Sequence, residues 1–471
     1  MRIAVIATFC HPTRLPVKER SIMQSAAPEL IAALCPDYAE VEIYNEKVAD
    51  IPLDRDWDLV FFSYLHSYYE HTKVLSTLFR QRGIKTVAGG RHAKHFARDC
   101  SQYFDAVITG EPEANVPALI NDFERGEMQR EYCLPPVPMT EIKSYRYDLV
   151  DFSNNRIRMP GVEASRGCPF SCNFCVLTGH ETYRYRPIAS VVEEIEFKMR
   201  WNPHYFGLLR DSFMFLDNNL GGSRRYLHEL CEALIPLKKT WGCALTFNVL
   251  RDEETVKLMA AAGCRYIYTG LESLNPESLK LMNKKQNKLG EVDHVIRRCF
   301  ANGLLLSFGL IVGSDGDTNE YLEKLPEYLG ELQHFSITFL GIMCPYPETP
   351  LFRTLKNAGR LLPGTTSRDY DCYTVCHRPQ FLHESEVAEH YQRLCLAVAN
   401  LPNVMRHYWT KLWSSNLPRY KLTILGSGPE IRSLRNNVQN NRRRYVAGLD
   451  ALEEWDQQMM QRLQLQPQYL T

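Results

Sequence analysis

The chain has 471 residues, enough for about two or three domains, with 45% hydrophobic and 23% charged residues, an ordinary globular composition. Basic and acidic residues number 55 each, so the net charge is zero, which argues against a nucleic-acid-binding surface. No apolar run reaches the roughly 18 residues of a transmembrane helix. The 15 cysteines lack the spacing of a disulfide framework and indicate reduced thiols, hence a cytoplasmic location.

The first part of the chain alternates short apolar runs with helical patterns, and it begins with a strand-like run rather than a signal peptide. Strands are predicted at residues 2–8, 39–45, 59–64, 84–90 and 103–111, and helices at 21–35, 71–83 and 116–126. This order predicts a doubly wound parallel sheet over residues 1–135, which binds ligands at the carboxyl ends of its strands. The candidate residues at those ends are Thr8, Ser63, Tyr64, Gly89, Gly90, Gly110 and Glu111. Taken alone, the two glycines at 89 and 90 favour a simple turn.

Prolines at 135, 136 and 138 predict a linker over residues 136–160. Further strand-like runs lie at residues 161–167, 213–219, 242–250, 264–273, 304–313 and 335–343, with helical patterns between them. These repeated units predict a partial (β/α)6 barrel over residues 161–360, open on one side to a bulky substrate. Residues 361–471 show helical patterns and are expected to form a helical cap.

The most specific pattern is the run SRGCPFSCNFCVLTG, which places Cys168, Cys172 and Cys175 in a C-x-x-x-C-x-x-C array. Three thiolates this close can bind three irons of a [4Fe–4S] cluster and leave the fourth iron open. A zinc site would need a fourth protein ligand, and no second C-x-x-C or histidine pair stands nearby in the sequence. Three buried free thiols are the less specific alternative. A second cluster at Cys372 and Cys376 is disfavoured, because with His377 only three ligands are present.

This cysteine array resembles the signature of radical S-adenosylmethionine (radical SAM) enzymes. In that family SAM chelates the open iron, and an electron from the cluster cleaves SAM to methionine and a 5′-deoxyadenosyl radical, which abstracts hydrogen from the substrate. The resemblance implies a [4Fe–4S] cluster and SAM as cofactors, and an external electron donor such as flavodoxin or ferredoxin. Arg186 follows the cysteines at a spacing common in the subfamily and is expected to position SAM or cap the loop.

Further candidate SAM contacts lie at the carboxyl ends of the barrel strands, where such barrels carry their chemistry. FLDNN, GLES and GLIVG resemble the second-strand, fourth-strand and adenine-facing elements of the family. Carboxylates suit the ammonium or ribose diol of SAM, amides suit hydroxyls and adenine, and glycines allow close approach. The candidates are Asp217, Asn219, Asn248, Glu272, Gly309, Ile311 and Gly313. Two alternatives stay open: GLIVG as an ordinary buried strand, and Glu272 as a cap of the helix that opens at Pro276.

The order SYLHSYYEH, VAGGRHA, FDAVITGEPEAN resembles the cobalamin-binding domain that precedes the radical SAM domain in one large subfamily. That subfamily includes C-methyltransferases and the anaerobic cyclase of chlorophyll synthesis, so the resemblance implies cobalamin as a third cofactor. Two features depart from it. No D-x-H-x-x-G is present to supply a histidine below cobalt, and the loop after the first strand carries Arg14, Lys18, Glu19 and Arg20. These charges either alter the corrin pocket or form a solvated surface.

The leading interpretation is a cobalamin-dependent radical SAM methyltransferase acting on an unactivated carbon, with one SAM supplying the methyl group and a second the radical. An oxidative cyclase or a rearrangement enzyme with the same cluster is the alternative. A non-catalytic iron–sulfur sensor is a third interpretation, disfavoured because a sensor needs no SAM pocket. The substrate is expected to be a small molecule or natural-product intermediate. Aromatic residues of the cap either line its pocket or belong to the core, namely Tyr373, Tyr408, Trp409 and Trp413.

Overall fold

The computed structural model describes residues 1–9, 26–153, 159–179, 182–201, 211–332 and 334–398. Within these residues the chain forms two compact units, one of residues 1–161 and 193–201 and the other of residues 162–192 and 211–398. The charged loop at residues 14–20 and the aromatic residues at 408, 409 and 413 lie outside the described residues. In the described part of the chain, no helix is long and apolar enough to cross a membrane.

The first unit is built on a six-stranded parallel sheet with the order β2-β1-β3-β4-β5-β6. Its strands are β1 (Arg2–Ala7), β2 (Glu40–Asn45), β3 (Leu59–Ser63), β4 (Lys85–Gly89), β5 (Ala106–Ile108) and β6 (Glu131–Tyr132). Its helices are α1 (Ala26–Leu34), α2 (Tyr69–Gln81), α3 (Arg91–His95), α4 (Ala97–Tyr103) and α5 (Pro112–Arg125). Because β1 pairs with both β2 and β3, the strand order reverses there, which makes the β1/β3 edge the expected ligand site.

Alternation along the buried strands builds a core on each face of this sheet. Ile3 and Val5 of β1 pack in one core with residues of α1 and α5, whereas Ala4 and Ile6 pack in the other with residues of α2 and α4. Successive side chains of a strand point to opposite faces, so a run without polar residues covers both. The apolar run at residues 2–8 therefore specifies a strand buried on both sides. The short elements α3, α4 and β6 were not predicted, since they are too short for a clear period.

The residues predicted as a linker contribute buried side chains to the first unit. Tyr145 and Tyr147 are each 1% exposed. The ammonium of Lys198, on helix α6 (Ile188–Trp201), lies 4.8 Å from the Tyr145 ring centroid and 2.8 Å from Oε2 of Glu29. Lys198 also lies 3.1 Å from Glu194. The carboxylate and aromatic partners offset the free-energy cost of burying the Lys198 ammonium, and these contacts fix the segment against α1. The domain bounds given above stay a prediction.

The second unit is built on a six-stranded sheet with the order β14-β13-β12-β11-β10-β7. Its strands are β7 (Gly161–Val162), β10 (Ser212–Phe215), β11 (Thr240–Ala244), β12 (Cys264–Glu272), β13 (Leu305–Val312) and β14 (Phe335–Ile342), and a separate antiparallel pair is formed by β8 (Ser165–Arg166) and β9 (Arg184–Tyr185). Strands β10 to β14 pair in parallel and in chain order. Within the described residues, β7 and β14 are the free edges, as in the predicted partial barrel.

The helices of the second unit follow its strands and cover the sheet. After α6 they are α7 (Arg224–Leu234), α8 (Glu253–Ala261), α9 (Pro276–Leu281), α10 (Val292–Ala301), α11 (Asn319–Glu331), α12 (Pro350–Asn357) and α13 (Glu384–Val398). Of the predicted cap, the structure describes α13 and the segment before it.

Several predicted strands are shorter in the structure, and hydrogen bonds explain two of them. Residues 161–167 break into β7 and β8, because Ala164 and Ser165 donate their backbone N–H groups to Asp217 instead of continuing the sheet. Strand β11 stops at Ala244, and residues Phe247–Arg251 form a short 3-10 helix. The Oδ1 of Asn219 accepts from the backbone N–H of Thr246 at 3.2 Å, which turns the chain out of the sheet.

Candidate active site

The three cysteines lie on a loop that is anchored at both its start and its middle. Gly167 has a φ of 82°, a left-handed conformation that suits glycine, and turns the chain sharply before Cys168. The backbone N–H of Asn173 donates to Met282 O at 3.1 Å, and its side chain donates to Leu281 O at 2.6 Å. These bonds fix the cysteine loop against the end of α9.

Amide groups reach two of the three sulfurs. Nδ2 of Asn219 lies 3.5 Å from Sγ of Cys168, and Nε2 of Gln286 lies 3.4 Å from Sγ of Cys172. Burial raises the pKa of the Cys172 thiol, and the nearby Lys284 ammonium opposes this effect. Burial also raises the pKa of Cys175. Burial alone favours the neutral thiol, whereas N–H groups aimed at sulfur suit a thiolate that is bound to iron.

The donor set fits an iron–sulfur cluster. All three cysteines are free of disulfides. No group of three or more His, Cys, Asp or Glu side chains surrounds a single ion position in the described ranges. A [4Fe–4S] cubane needs no such group, because its three thiolates bind three separate irons. Three thiolates on one loop would hold such a cluster and leave its fourth iron accessible.

A buried ion pair lies beside the cysteine loop. Nζ of Lys284 is 2.6 Å from Oε1 of Glu272, and the two residues are 8% and 7% exposed. Burial lowers the pKa of Lys284, but the charges of Glu272 and Cys172 outweigh it, and the pKa ends above its ordinary value. The backbone of Glu272 has a φ of 66° after an irregularity in β12. Such strain in a residue other than glycine concentrates at functional sites.

The alternative role of Glu272 as a helix cap is wrong. The cap of α9 is Asn275, whose side chain accepts from the backbone N–H of Glu277 at 3.0 Å. Glu272 is bonded to Lys284 instead.

Asp217 holds the chain that enters the cysteine loop. Its oxygens accept from the backbone N–H of Ala164 at 3.1 Å and from the hydroxyl of Ser165 at 2.5 Å. Burial raises the pKa of Asp217 to about 7, in spite of these donors. The carboxyl group is therefore engaged in positioning the loop. Arg186 also positions the start of the loop, because it is buried and its guanidinium donates to Glu163 O at 2.9 Å.

The remaining barrel candidates are spread over different environments. Asn248 lies on the 3-10 helix, and its buried Oδ1 has no hydrogen-bond partner among the described residues. Gly309 lies on β13, where a Cβ would come 2.3 Å from the Tyr268 hydroxyl. Ile311 is half-buried on the same strand. Gly313 has a φ of 83° and donates its N–H to Asp317 at 2.9 Å, so it shapes the turn after β13.

The candidates at the carboxyl ends of β1 and β3 are two polar residues, Thr8 and Ser63, and one aromatic residue, Tyr64. The hydroxyl of Thr8 lies 2.9 Å from that of Thr72, and the backbone N–H of Thr8 donates to Ser63 O at 3.2 Å. Tyr64 points into the core instead, with its hydroxyl 3.3 Å from Cys100 Sγ. Its backbone rather than its side chain is available at the edge.

The other glycines of this sheet allow close packing of the chain. A Cβ on Gly110 would come 2.5 Å from Asn115 Nδ2, and Glu111 precedes α5, where its carbonyl accepts from the same amide at 2.6 Å. Gly110 therefore serves a tight strand-to-helix turn. Gly89 has ordinary space around it, whereas Gly90 adopts a φ of 99°.

The cysteines at 372 and 376 join a third one rather than a histidine. Cys344 and Cys376 lie in one small buried core cluster with Cys372 packed against it. Burial raises the pKa of Cys344 well above its ordinary value, and the neighbouring thiols add to the effect. Thiols buried in this way are poor nucleophiles. His377 is buried as well, and burial lowers its pKa to about 4.

Sequence reasoning missed Lys284 and Gln286, which lie in the polar run after α9 and have no periodicity to mark them. It also missed His66 and His92, whose rings meet at the carboxyl edge of the first sheet. The only signal for Lys284 in the sequence is that a charged residue stands in the segment that follows Glu272, the carboxylate at the end of a strand.

Comparison with known proteins gives a family match for part of the chain. Residues 162–329 match the radical SAM superfamily. Two relatives come from Chlorobaculum tepidum. The bacteriochlorophyllide d C-12(1)-methyltransferase is 25% identical, and the match covers 78% of this chain and 80% of the relative. The bacteriochlorophyllide d C-8(2)-methyltransferase is 26% identical, and the match covers 74% of this chain and 78% of the relative. The radical SAM methyltransferase TsrM from Kitasatospora setae, solved with cobalamin and a [4Fe–4S] cluster bound, superimposes with a TM-score of 0.62 at 16% identity, covering 92% of this chain and 99% of TsrM. The predicted α/β fold class is thereby confirmed.

Proposed function

We propose that this chain, whose residues 162–329 match the radical SAM superfamily, transfers a methyl group from SAM to an unactivated carbon of a small molecule with the help of cobalamin. One observation carries the proposal: a loop with three free cysteines lies beside the buried pair of Glu272 and Lys284, in a chain that also holds a doubly wound sheet. When bound, the cluster and SAM supply a 5′-deoxyadenosyl radical and cobalamin carries the methyl group.

The second unit offers a binding site for the amino-acid end of SAM. That end has an amino group and a carboxylate, and the protein offers one carboxylate, Glu272, and one ammonium, Lys284. When SAM chelates the open iron, its amino N–H groups would still be donors for Glu272, and its carboxylate would be met by the Lys284 ammonium where water is scarce. Asn248 has a buried amide oxygen without a partner among the described residues, which suits a hydroxyl or amino group of the adenosine.

The cysteine loop supports the cluster assignment. Cys168, Cys172 and Cys175 would bind three irons, with Asn219 and Gln286 donating to two of the sulfurs. Asp217 and Arg186 would hold the loop at its entry. The chain's own role at this site is to bind the cofactors, to orient them and to exclude water from the ion pair.

The first unit supports cobalamin. Its strand order exposes the carboxyl ends of β1 and β3 at a switch point, where open α/β sheets bind ligands. Gly90 at the same edge, and a ring nitrogen of His92 with no hydrogen-bond partner in the described part of the chain, fit a ligand that approaches the backbone closely. The proposal includes a one-electron donor such as flavodoxin or ferredoxin, because the cluster must be reduced before it can cleave SAM. It also includes a cytoplasmic location, which the 15 cysteines support, since thiols stay reduced there.

The test is an anaerobic incubation of the reconstituted protein with methyl-labelled SAM, a reductant, cobalamin and bacteriochlorophyllide d as surrogate acceptor. The proposal predicts cobalamin-dependent label in the acceptor, measured by mass spectrometry, and S-adenosylhomocysteine as a co-product. Omitting cobalamin is the matched control. Consumption of SAM to 5′-deoxyadenosine alone, with no cobalamin-dependent S-adenosylhomocysteine under any condition, would indicate a cyclase or a rearrangement enzyme instead.

A further inference from the structure

The cysteine loop reaches the protein surface beside its central cysteine. Ser171, which directly precedes Cys172, is exposed, whereas Cys172 itself is 6% exposed. The side chain of Asn283 donates to Ser171 O at 2.6 Å and holds this turn of the loop in place. A single exposed residue is thus adjacent to a candidate iron ligand, which gives an electron a short path from the surface to the cluster.

Two helices flank this part of the loop. The side chain of Asn173 donates to Leu281 O, at the end of α9, at 2.6 Å. The backbone carbonyl of Asn173 accepts from the N–H of Leu351, in the first turn of α12, at 2.9 Å. Because one loop residue is bonded to both helices, the exposed side chains of α9 and α12 lie close to the loop.

These exposed side chains are mainly basic and surround an apolar residue. Leu281 is 41% exposed. Across residues 276–285 and 348–357, the exposed acidic residues are Glu277 and Glu348, and the exposed basic residues are twice as many. Since the whole chain has no net charge, this excess is a local feature. We call the following residues the cysteine-loop surface: Ser171, Lys280, Leu281, Lys285, Arg353 and Lys356.

The segment after α9 separates this surface from the proposed SAM site. Lys284 and Gln286 are buried, one bonded to Glu272 and the other 3.4 Å from Cys172 Sγ. Lys285, which stands between them, is exposed. Successive side chains of the segment therefore point to opposite sides. A partner can touch the outer side while SAM occupies the inner one.

Resting on the proposed function, we propose that the cysteine-loop surface is the docking surface of an acidic one-electron carrier protein. The carrier loses one electron, the cluster gains it, and the same electron then enters SAM as its carbon–sulfur bond breaks. Opposite charges speed the association of the two proteins and make it sensitive to salt. A small apolar centre within a charged rim suits a carrier that must leave after each transfer.

The first experiment measures binding. The full-length protein, reconstituted anaerobically, is titrated in a calorimeter with an oxidised flavodoxin and, separately, an oxidised ferredoxin, both of net negative charge. The proposal predicts binding of at least one carrier that weakens as salt is added. In the double variant Lys280→Glu/Arg353→Glu the dissociation constant should rise about tenfold or more. A carbodiimide, which joins ammonium to carboxylate groups, should cross-link lysines of the cysteine-loop surface to the carrier.

The matched control is the double variant Lys257→Glu/Lys324→Glu. It reverses two exposed charges on α8 and α11, each of which is paired within its own helix, as Lys280 is with Glu277. Its affinity for the carrier should equal that of the wild type. Equal carrier affinities of the two double variants would overturn the docking surface and leave the methyltransferase proposal intact.

Formation of 5′-deoxyadenosine separates docking from chemistry. With dithionite, a small reductant that needs no docking surface, the wild type and both double variants should react at the same rate. With a limiting amount of reduced carrier, the variant with the reversed cysteine-loop surface should be about tenfold slower or more. Cleavage of SAM with dithionite but with neither carrier would also overturn the docking surface alone. Absence of 5′-deoxyadenosine with every reductant would overturn the proposed function as well.

Discussion

Nζ of Lys284 lies 2.6 Å from Oε1 of Glu272, and this buried pair is next to the cysteine loop. Two opposite charges out of water cost free energy, which a bond of this quality largely offsets. The strained backbone of Glu272 adds to that cost. A strained and buried ion pair at a strand end indicates a functional role. The Glu272 carboxylate and the Lys284 ammonium suit the amino and carboxylate groups of SAM.

Lys284→Met should lower SAM affinity by at least tenfold and destabilise the protein, because it leaves the Glu272 charge buried without its partner. Breaking such a pair costs about 3–5 kcal/mol. Equilibrium dialysis with SAM and the midpoint of thermal unfolding measure the two effects. The control is Glu277→Gln, since Glu277 and Lys280 form an exposed pair at 3.2 Å whose loss should change little. Unchanged SAM affinity in Lys284→Met would refute the assignment.

Gly270→Ala should disturb the same pair without removing a charge. A Cβ at this position would lie 2.0 Å from Oε1 of Glu272 and 3.0 Å from Nζ of Lys284, so the carboxylate must move. We expect weaker SAM binding and a loss of about 1–3 kcal/mol in stability. Gly290→Ala, with nothing within 4 Å of its Cβ, is the control. Equal SAM affinities of the two variants would contradict the proposed position of SAM.

Cys172→Ala should abolish the cluster and, with it, the formation of 5′-deoxyadenosine. The comparison is Cys133→Ala, which removes an exposed cysteine of the first unit. Iron analysis after anaerobic reconstitution should give about four irons per chain in the wild type and in Cys133→Ala, and far fewer in Cys172→Ala. About eight irons in the wild type would instead revive the cysteines at 372 and 376 as ligands of a second cluster.

Asp217→Asn should change the pH dependence of stability. The pKa of Asp217 is raised from 3.8 to about 7 in the folded protein. Between these values the unfolded chain releases the proton while the folded chain keeps it, so rising pH favours unfolding by up to about 1.4 kcal/mol per pH unit. Above pH 7 the effect is constant. Thermal midpoints at pH 5 and pH 7 should therefore show the wild type losing stability relative to Asp217→Asn; parallel profiles would contradict the raised pKa.

The fold followed from sequence wherever a strand was buried on both faces. Between Arg2 and Thr8 the run has no polar side chain, so its length and composition left one interpretation. Residues 242–250 are also rich in apolar side chains, yet the chain leaves the sheet after Ala244, because Asn219 accepts the N–H of Thr246. A hydrogen bond between residues far apart in sequence has no local signal.

The candidate site followed from sequence only where a motif is contiguous. The three cysteines stand within eight residues, and Glu272 ends a recognisable strand. Lys284 comes from the loop after α9 and reaches Glu272 only because β12 and α9 fold back on each other. His66 and His92 belong to separate loops, brought together by the φ of Gly90. Contacts of this kind depend on topology and backbone conformation, which spacing along the chain does not encode.

The most direct measurement is the quantity of S-adenosylhomocysteine and 5′-deoxyadenosine formed by the reconstituted protein in one anaerobic incubation with the surrogate acceptor, with and without cobalamin. Our account predicts 5′-deoxyadenosine in both cases and S-adenosylhomocysteine only when cobalamin is present. In Cys172→Ala it predicts no 5′-deoxyadenosine, and S-adenosylhomocysteine limited to a single methyl transfer to cobalamin. Formation of 5′-deoxyadenosine without any cobalamin-dependent S-adenosylhomocysteine would contradict methyl transfer through cobalamin.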